Sequence, residues 1–189
     1  MTDYYSPTVI QQTIPDADMS PLERLLLSRI FDADPVGDGW YFHSWQGPSD
    51  IVWVNRTALI ASLKASRAYQ SEANVFVEKS LVEIQMENDE VTLDLTDTSW
   101  EFFIRDVVRR SPTLRYVTVT TAFTCSKMQP DGFGGMALFI TADAIKGQST
   151  HEFLADCLAE IATDPSDGPN ASSRFPTPPG GNDVDDPNR

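Results

Sequence analysis

Cysteine and histidine are scarce in this sequence. Cys125 and Cys157 are the two cysteines, and His43 and His151 the two histidines. Two cysteines without framework spacing exclude a disulfide-stapled fold and read as reduced thiols. Four such side chains, none paired by spacing, offer no zinc signature either. Basic residues are the next scarcity: 14 Lys and Arg stand against 28 Asp and Glu, a net charge of −14. A chain this acidic repels nucleic acid and anionic membranes, and its charged partners are expected to be basic. Apolar runs are short, well under the ~20 residues of a membrane span. The opening MTDYYSPTVI lacks the basic-then-apolar order of a signal peptide. The expectation is a cytoplasmic protein with no cofactor and no metal.

What is present divides the chain in two. From 163 to 189, Pro, Gly, Asn, Asp and Ser dominate, with Phe175 and Val184 the large apolar residues. That composition predicts a disordered tail, because it cannot bury enough apolar surface to offset the entropy of ordering. Residues 1–162 are long enough to bury a core as a single domain.

Along that domain, residues 1–18 read as an extended arm, with Tyr4, Tyr5, Val9, Ile10 and Ile14 available to pack. Ser20-Pro21-Leu22-Glu23 opens a helix with a cap, a first-position proline and a capping-box glutamate; it should stop near Asp34-Pro35. Strands are predicted at 40–45 and 51–54, paired as a hairpin. Asn55 caps a helix to about Arg67. A helix from 72 to about 85 and a strand at 91–95 follow, with a strand at 82–86 as the competing reading. Thr98-Ser99-Trp100-Glu101 reads as a second capping box, opening a helix with Phe102, Ile104, Val107 and Val108. Strands at 114–125 and 136–142 come next. Thr150 then caps a last helix to about Ala162, with Phe153, Leu154, Leu158 and Ile161 inward. Hairpins outnumber βαβ units, so the fold class is α+β, a mainly antiparallel sheet with helices packed on it.

No motif specifies a reaction. His151-Glu152 begins like a zinc-protease helix, but position 155 is alanine where the second histidine is required. Asp131-Gly132-Phe133-Gly134-Gly135 is glycine-rich like a phosphate loop, yet it lies between strands and carries no lysine. It reads as a hairpin turn with Gly134 or Gly135 at positive φ and Phe133 exposed at its tip. His43, Cys125 and the 131–135 loop are the candidates if the chain is a small enzyme.

Charge is unevenly spread. Residues 1–50 carry 8 acids and 2 bases, and residues 72–106 carry 10 acids and 2 bases. Basic residues gather at Arg56, Lys64 and Arg67 and again at Arg109, Arg110, Arg115 and Lys127, which predicts a smaller positive patch. Glu83, Glu87, Asp89, Glu90, Asp94 and Asp97 follow one another with no basic residue among them. Such crowding costs self-repulsion that folding alone does not require. These six, with Phe133, are the candidate partner-binding residues.

The strings SPTVIQQTIPDADMSPLERLLLSRIFDA and CSKMQPDGFGG resemble a family of uncharacterised acidic proteins encoded on plasmids and conjugative elements of alphaproteobacteria. The resemblance implies a bacterial cytosol and a mobile-element setting, in which some anti-defence factors imitate the charge of DNA. It brings no catalytic residues. The functional expectation is therefore a non-enzymatic acidic module that engages a basic, nucleic-acid-binding protein surface. The alternatives are the small enzyme above or an oligomeric structural protein that associates through strands 40–54.

Overall fold

The computed structural model describes residues 3–83, 89–129 and 132–163, with the side chains of 83, 162 and 163 left aside. The tail expectation therefore lies outside the described residues, apart from Thr163, which ends a helix. The chain divides into two units, Met1–Phe153 and Leu154–Arg189. The first holds the α+β fold.

Its large sheet is antiparallel and is organised by the N-terminal arm. The arm forms β1 (Tyr4–Tyr5), β2 (Thr8–Ile10) and β3 (Ile14–Pro15). On one side β2 pairs with β8 (Tyr116–Cys125), Thr8 lying opposite Thr121, and β1 continues that pairing at Cys125 and Thr124. On the other side β2 and β3 pair with β5 (Gly39–Ser44), at His43 and at Trp40. Beyond β8 lie β9 (Gly134–Thr141) and β10 (Ile145–Ser149); beyond β5 lies β4 (Asp32–Val36). The arm is thus the seam joining two antiparallel units. Ile10 and Ile14 are fully buried within it.

The helices α1 (Pro21–Ile30), α2 (Arg56–Ala65), α3 (Glu72–Glu83) and α4 (Trp100–Arg110) supply the rest of the core. Leu22, Leu26, Leu27 and Ile30 make the inward stripe of α1, at spacings of four, one and three residues. Each contributes roughly 1.5–3 kcal/mol by leaving water. The expected cap of α1 forms in both directions: the Glu23 N–H donates to Ser20 Oγ, and the Ser20 N–H donates to the Glu23 carboxylate. That carboxylate is wholly buried. It also accepts from Ser71 Oγ at 2.6 Å and from the Arg110 guanidinium, tying α1 to α3 and α4. Asp106 of α4 caps α3 from outside, accepting the Glu72 N–H at 2.7 Å, and pairs with Arg109 at 3.0 Å. Arg109 and Arg110, expected in a positive patch, are thus held by internal carboxylates.

The second, smaller sheet is a ribbon of β6 (Ile51–Asn55) and β7 (Glu90–Asp94), with Trp53 opposite Thr92. The expected hairpin of strands 40–45 and 51–54 does not exist. Both edges of β5 are taken, by the arm and by β4, so β6 pairs with a strand beyond two helices. The helix over 72–83 displaces the strand reading up to its described end, and residues 84–86 lie outside the described residues. The first helix ends at Ile30 rather than near Asp34, because Phe31 is already extended (φ −120°, ψ 161°) and the chain from Asp32 pairs with β5. Asp32–Val36 then becomes an edge strand, where the missing N–H of Pro35 costs little.

Two further caps differ from expectation. The N-cap of α4 is Ser99, with no side-chain cap bond. Glu101 therefore stands at the second helical position rather than the third, out of phase with a capping box. The same phase leaves Phe102 on the outer side and buries Phe103. The last helix, α5 (Thr150–Thr163), crosses the boundary between the units. Ser149 caps it instead of Thr150: its Oγ accepts the Glu152 N–H at 3.1 Å, and its N–H donates to the Glu152 carboxylate at 2.7 Å. Phe153, Leu154, Leu158 and Ile161 are exposed rather than inward, Ile161 by 70%. The buried face of β8 and β9 is already covered by α4.

Candidate functional site

The acidic candidates converge on the β6–β7 ribbon. Strand alternation turns Val52, Val54, Val91 and Leu93 into the core, all essentially inaccessible. The opposite face carries Ile51, Trp53 and Asn55 from β6 and Glu90, Thr92 and Asp94 from β7, all exposed. Register places Ile51 beside Asp94, Trp53 beside Thr92 and Asn55 beside Glu90. Trp53, 63% exposed, is therefore bracketed on the neighbouring strand by Glu90 and Asp94, the diagonal positions within reach of a large aromatic ring. Asp89 extends the ribbon at one end, where its carbonyl accepts the Arg56 N–H at 2.8 Å. Asp97 follows at the other end. The Thr96 N–H donates to the Asp94 carboxylate at 3.0 Å and the Thr96 hydroxyl at 2.8 Å. Those two donors hold Asp94 below the usual carboxylate range.

Glu90 and Asp94 are thus brought to one exposed face, with Asp89 and Asp97 exposed beyond its two ends. The Glu83 side chain and Glu87 lie outside the described residues. Phe133 is 41% exposed, as its tip position suggested, but it adjoins β9 in the large sheet and not the ribbon. The two residues that sequence reasoning missed are Trp53 and Ile51. Their signal was present: Ile-Val-Trp-Val-Asn and Glu-Val-Thr-Leu-Asp alternate in phase, each with two aliphatics that can face one core.

A groove of about 410 Å³ runs along the outer edge of β7, between it and α3. Glu72, Val75, Phe76 and Lys79 line it from the helix; Thr92, Asp94, Thr96 and Asp97 line it from the strand side. Val75 is exposed there.

Of the enzyme candidates, Cys125 lies against the glycine-rich loop, where a Cβ on Gly132 would meet the Cys125 Cβ at 2.8 Å, and one on Gly134 would stand 3.5 Å from the His151 ring; His43 lies apart from them on β5. His43 Nε2 lies 3.0 Å from Asp34, and its ring stacks on Tyr41. Cys125 is buried and Cys157 half-buried. Among the described residues no three His, Cys, Asp or Glu side chains are grouped to hold a metal ion. Four surface grooves of about 350 to 600 Å³ are lined by no histidine or cysteine. In the glycine-rich string, Asp131 lies outside the described residues. Gly134 and Gly135 are not at positive φ; among the described glycines Gly37 and Gly47 are. Gly134 and Gly135 belong to β9, and close packing explains them instead. A Cβ on Gly134 would meet Thr150 Oγ1 at 2.9 Å, and one on Gly135 the Thr121 carbonyl at 3.0 Å.

Among the described residues no helix is long and apolar enough to cross a membrane. No family model matches the chain, and neither a curated protein nor a solved structure matches it.

Proposed function

We propose that the chain is a non-enzymatic binding protein that engages a basic protein surface, of the kind that otherwise holds nucleic acid, through the β6–β7 ribbon. The observation that carries this reading is the exposed Trp53 set between Glu90 and Asp94, with Asp89 exposed at the end of the ribbon. An aromatic anchor with an acidic surround is the composition of a binding surface for a cationic partner. Acidity spread for solubility alone gives no reason to leave a tryptophan exposed at its centre. In a bacterial cytoplasm carrying a mobile element, such a protein would act as an anti-defence or regulatory factor by occupying a defence protein's nucleic-acid site.

The test compares wild type with the triple variant Asp89→Lys, Glu90→Lys, Asp94→Lys, each used to capture proteins from a bacterial lysate at low and high salt. The expected result is a basic protein retained by wild type at low salt and lost from the variant. Its on-rate should fall as salt rises, by screening of the steering field. An on-rate that is the same for both proteins and insensitive to salt overturns the reading.

A second reading has its own observation. The exposed residues Phe153, Leu154, Leu158 and Ile161 fall on one stripe of α5, which favours an assembly protein. The strands expected to mediate assembly divide: β5 is interior to the large sheet, and β6 shows Trp53 outward. Sedimentation of Leu158→Glu against wild type separates the readings. Dissociation of a wild-type oligomer in the variant supports assembly through α5, and a wild-type monomer overturns it.

A further inference from the structure

The ribbon has an open edge as well as an acidic face. The ladder phase is fixed by its flanking bonds: the Arg56 N–H donates to the Asp89 carbonyl, and the Leu95 N–H to the Asp50 carbonyl. In that phase residues 52 and 54 exchange bonds with 93 and 91, and the next residues along turn their amides away from the partner strand. Glu90, Thr92 and Asp94 therefore direct backbone N–H and C=O groups outward from β7. Among the described residues β6 is the one strand that pairs with β7. The outward edge opens into the groove against α3, where Thr92 and Asp94 form one wall and Val75 and Phe76 the other.

From this geometry we infer that the groove takes an extended segment of a basic partner protein, added to β7 as a third strand. The inference rests on the reading of the ribbon as a surface for a basic partner. Strand addition needs an unpaired edge with room beside it, and main-chain bonds then supply affinity while alternate side chains supply specificity. Here alternate side chains of the added strand would lie beside Glu90 and Asp94 on the outer face. The intervening ones would turn toward Val75 and Phe76. The segment that fits alternates Lys or Arg with apolar residues. Lys79 also lines the groove, but Glu72, Asp94 and Asp97 outnumber it. A second copy of this chain fits poorly. Antiparallel self-pairing about Thr92 would set Glu90 directly opposite Asp94 twice, and like charges so placed repel.

The probe is a short synthetic peptide alternating lysine with valine, beside a copy N-methylated on alternate backbone amides. Methylation leaves the charge and removes the strand-forming donors. Binding is read by the change in intrinsic tryptophan fluorescence that is absent in Trp53→Phe, and by hydrogen exchange at the amides of Thr92 and Asp94. The expected result is exchange at both amides slowed by about tenfold or more by the plain peptide, with no slowing by the methylated one. Thr92→Pro, which removes an outward N–H and no ladder bond, leaves the Asp94 amide to be read and should abolish protection there while far-UV circular dichroism stays unchanged. Should that variant fail to fold, the two peptides on wild-type protein decide the matter alone. Equal, salt-sensitive binding of both peptides without amide protection overturns strand addition and leaves the acidic surface standing. No binding of either peptide at low salt overturns strand addition and the basic-partner reading together.

Discussion

Glu101 shows how a single carboxylate records its surroundings. It sits near the start of α4, where one of its carboxylate oxygens is buried without a hydrogen-bond partner among the described residues. Burial raises its pKa, the backbone N–H of Glu101 offsets part of that, and Asp50 raises it further. The sign follows from proton counting. Between the unfolded and the raised folded pKa, the native state holds more protons than the unfolded state, so stability falls as pH rises through that window. Above it the ionised form destabilises fully. Glu101→Gln is therefore expected to raise Tm at neutral pH, with the gain shrinking as pH falls below the folded pKa. Thermal melts across that range check both the sign and the trend. Asp16 runs the other way. The Trp40 indole N–H at 2.7 Å and Arg24 at 3.0 Å lower its pKa. Its contribution is present above the unfolded carboxylate pKa and is lost as pH falls through the folded one. Glu23 carries a larger expectation. Glu23→Ala leaves the Arg110 guanidinium without its carboxylate and the Ser20 cap half-made. Removing one member of a buried pair costs about 3–5 kcal/mol, to be read from the midpoint of urea unfolding.

At the scale of elements, the ribbon is where the sequence was most and least informative. The acidic run from Asp89 to Asp97 was legible because charge is visible without a fold. The identity of its neighbours was not, because β6 and β7 are separated by two helices and strand pairing at that distance leaves no local mark. The arm illustrates the same limit. Its apolar residues signalled packing, but nothing in Tyr4 to Pro15 announced a place between β8 and β5. The cap at Ser20 was readable since every participant lies within four residues. The failure at Thr98 was a phase error of one residue, enough to carry Phe102 out and Phe103 in. Phase also makes an element-level expectation for the ribbon. Val54→Asp would bury a charge against Val91, whereas Trp53→Ala removes only outward surface. Burying an unpaired carboxylate without compensation is among the changes that unfold domains. Val54→Asp should lose cooperative unfolding by circular dichroism, while Trp53→Ala keeps a Tm near wild type and loses partner binding.

For the whole molecule, the two ends exchange the roles that composition assigned them. The arm looked peripheral and is the seam of the large sheet; α5 looked like core and is exposed. The buried hydrophobic residues of the described chain begin at Ile10 and end at Ile140. Removing residues 1–15 strips Ile10 and Ile14 from the core, at roughly 1.5–3 kcal/mol each. It also unpairs an edge of β8 and an edge of β5 at once. Against a total stability of about 5–15 kcal/mol, that loss should leave the chain unfolded at 25 °C. Among the described residues, cutting after Phe153 removes none of the buried core. Its expected effect on the midpoint of thermal unfolding is within about 1 °C, by the rule that truncation is felt through the burial of what it removes. Melting the two truncations beside the full chain tests both statements in one experiment. A folded protein without its first 15 residues would show that β5 and β8 can hold their hairpins without the arm between them. A drop of several degrees on losing residues 154–189 would show that the C-terminal unit contributes to the stability of the fold.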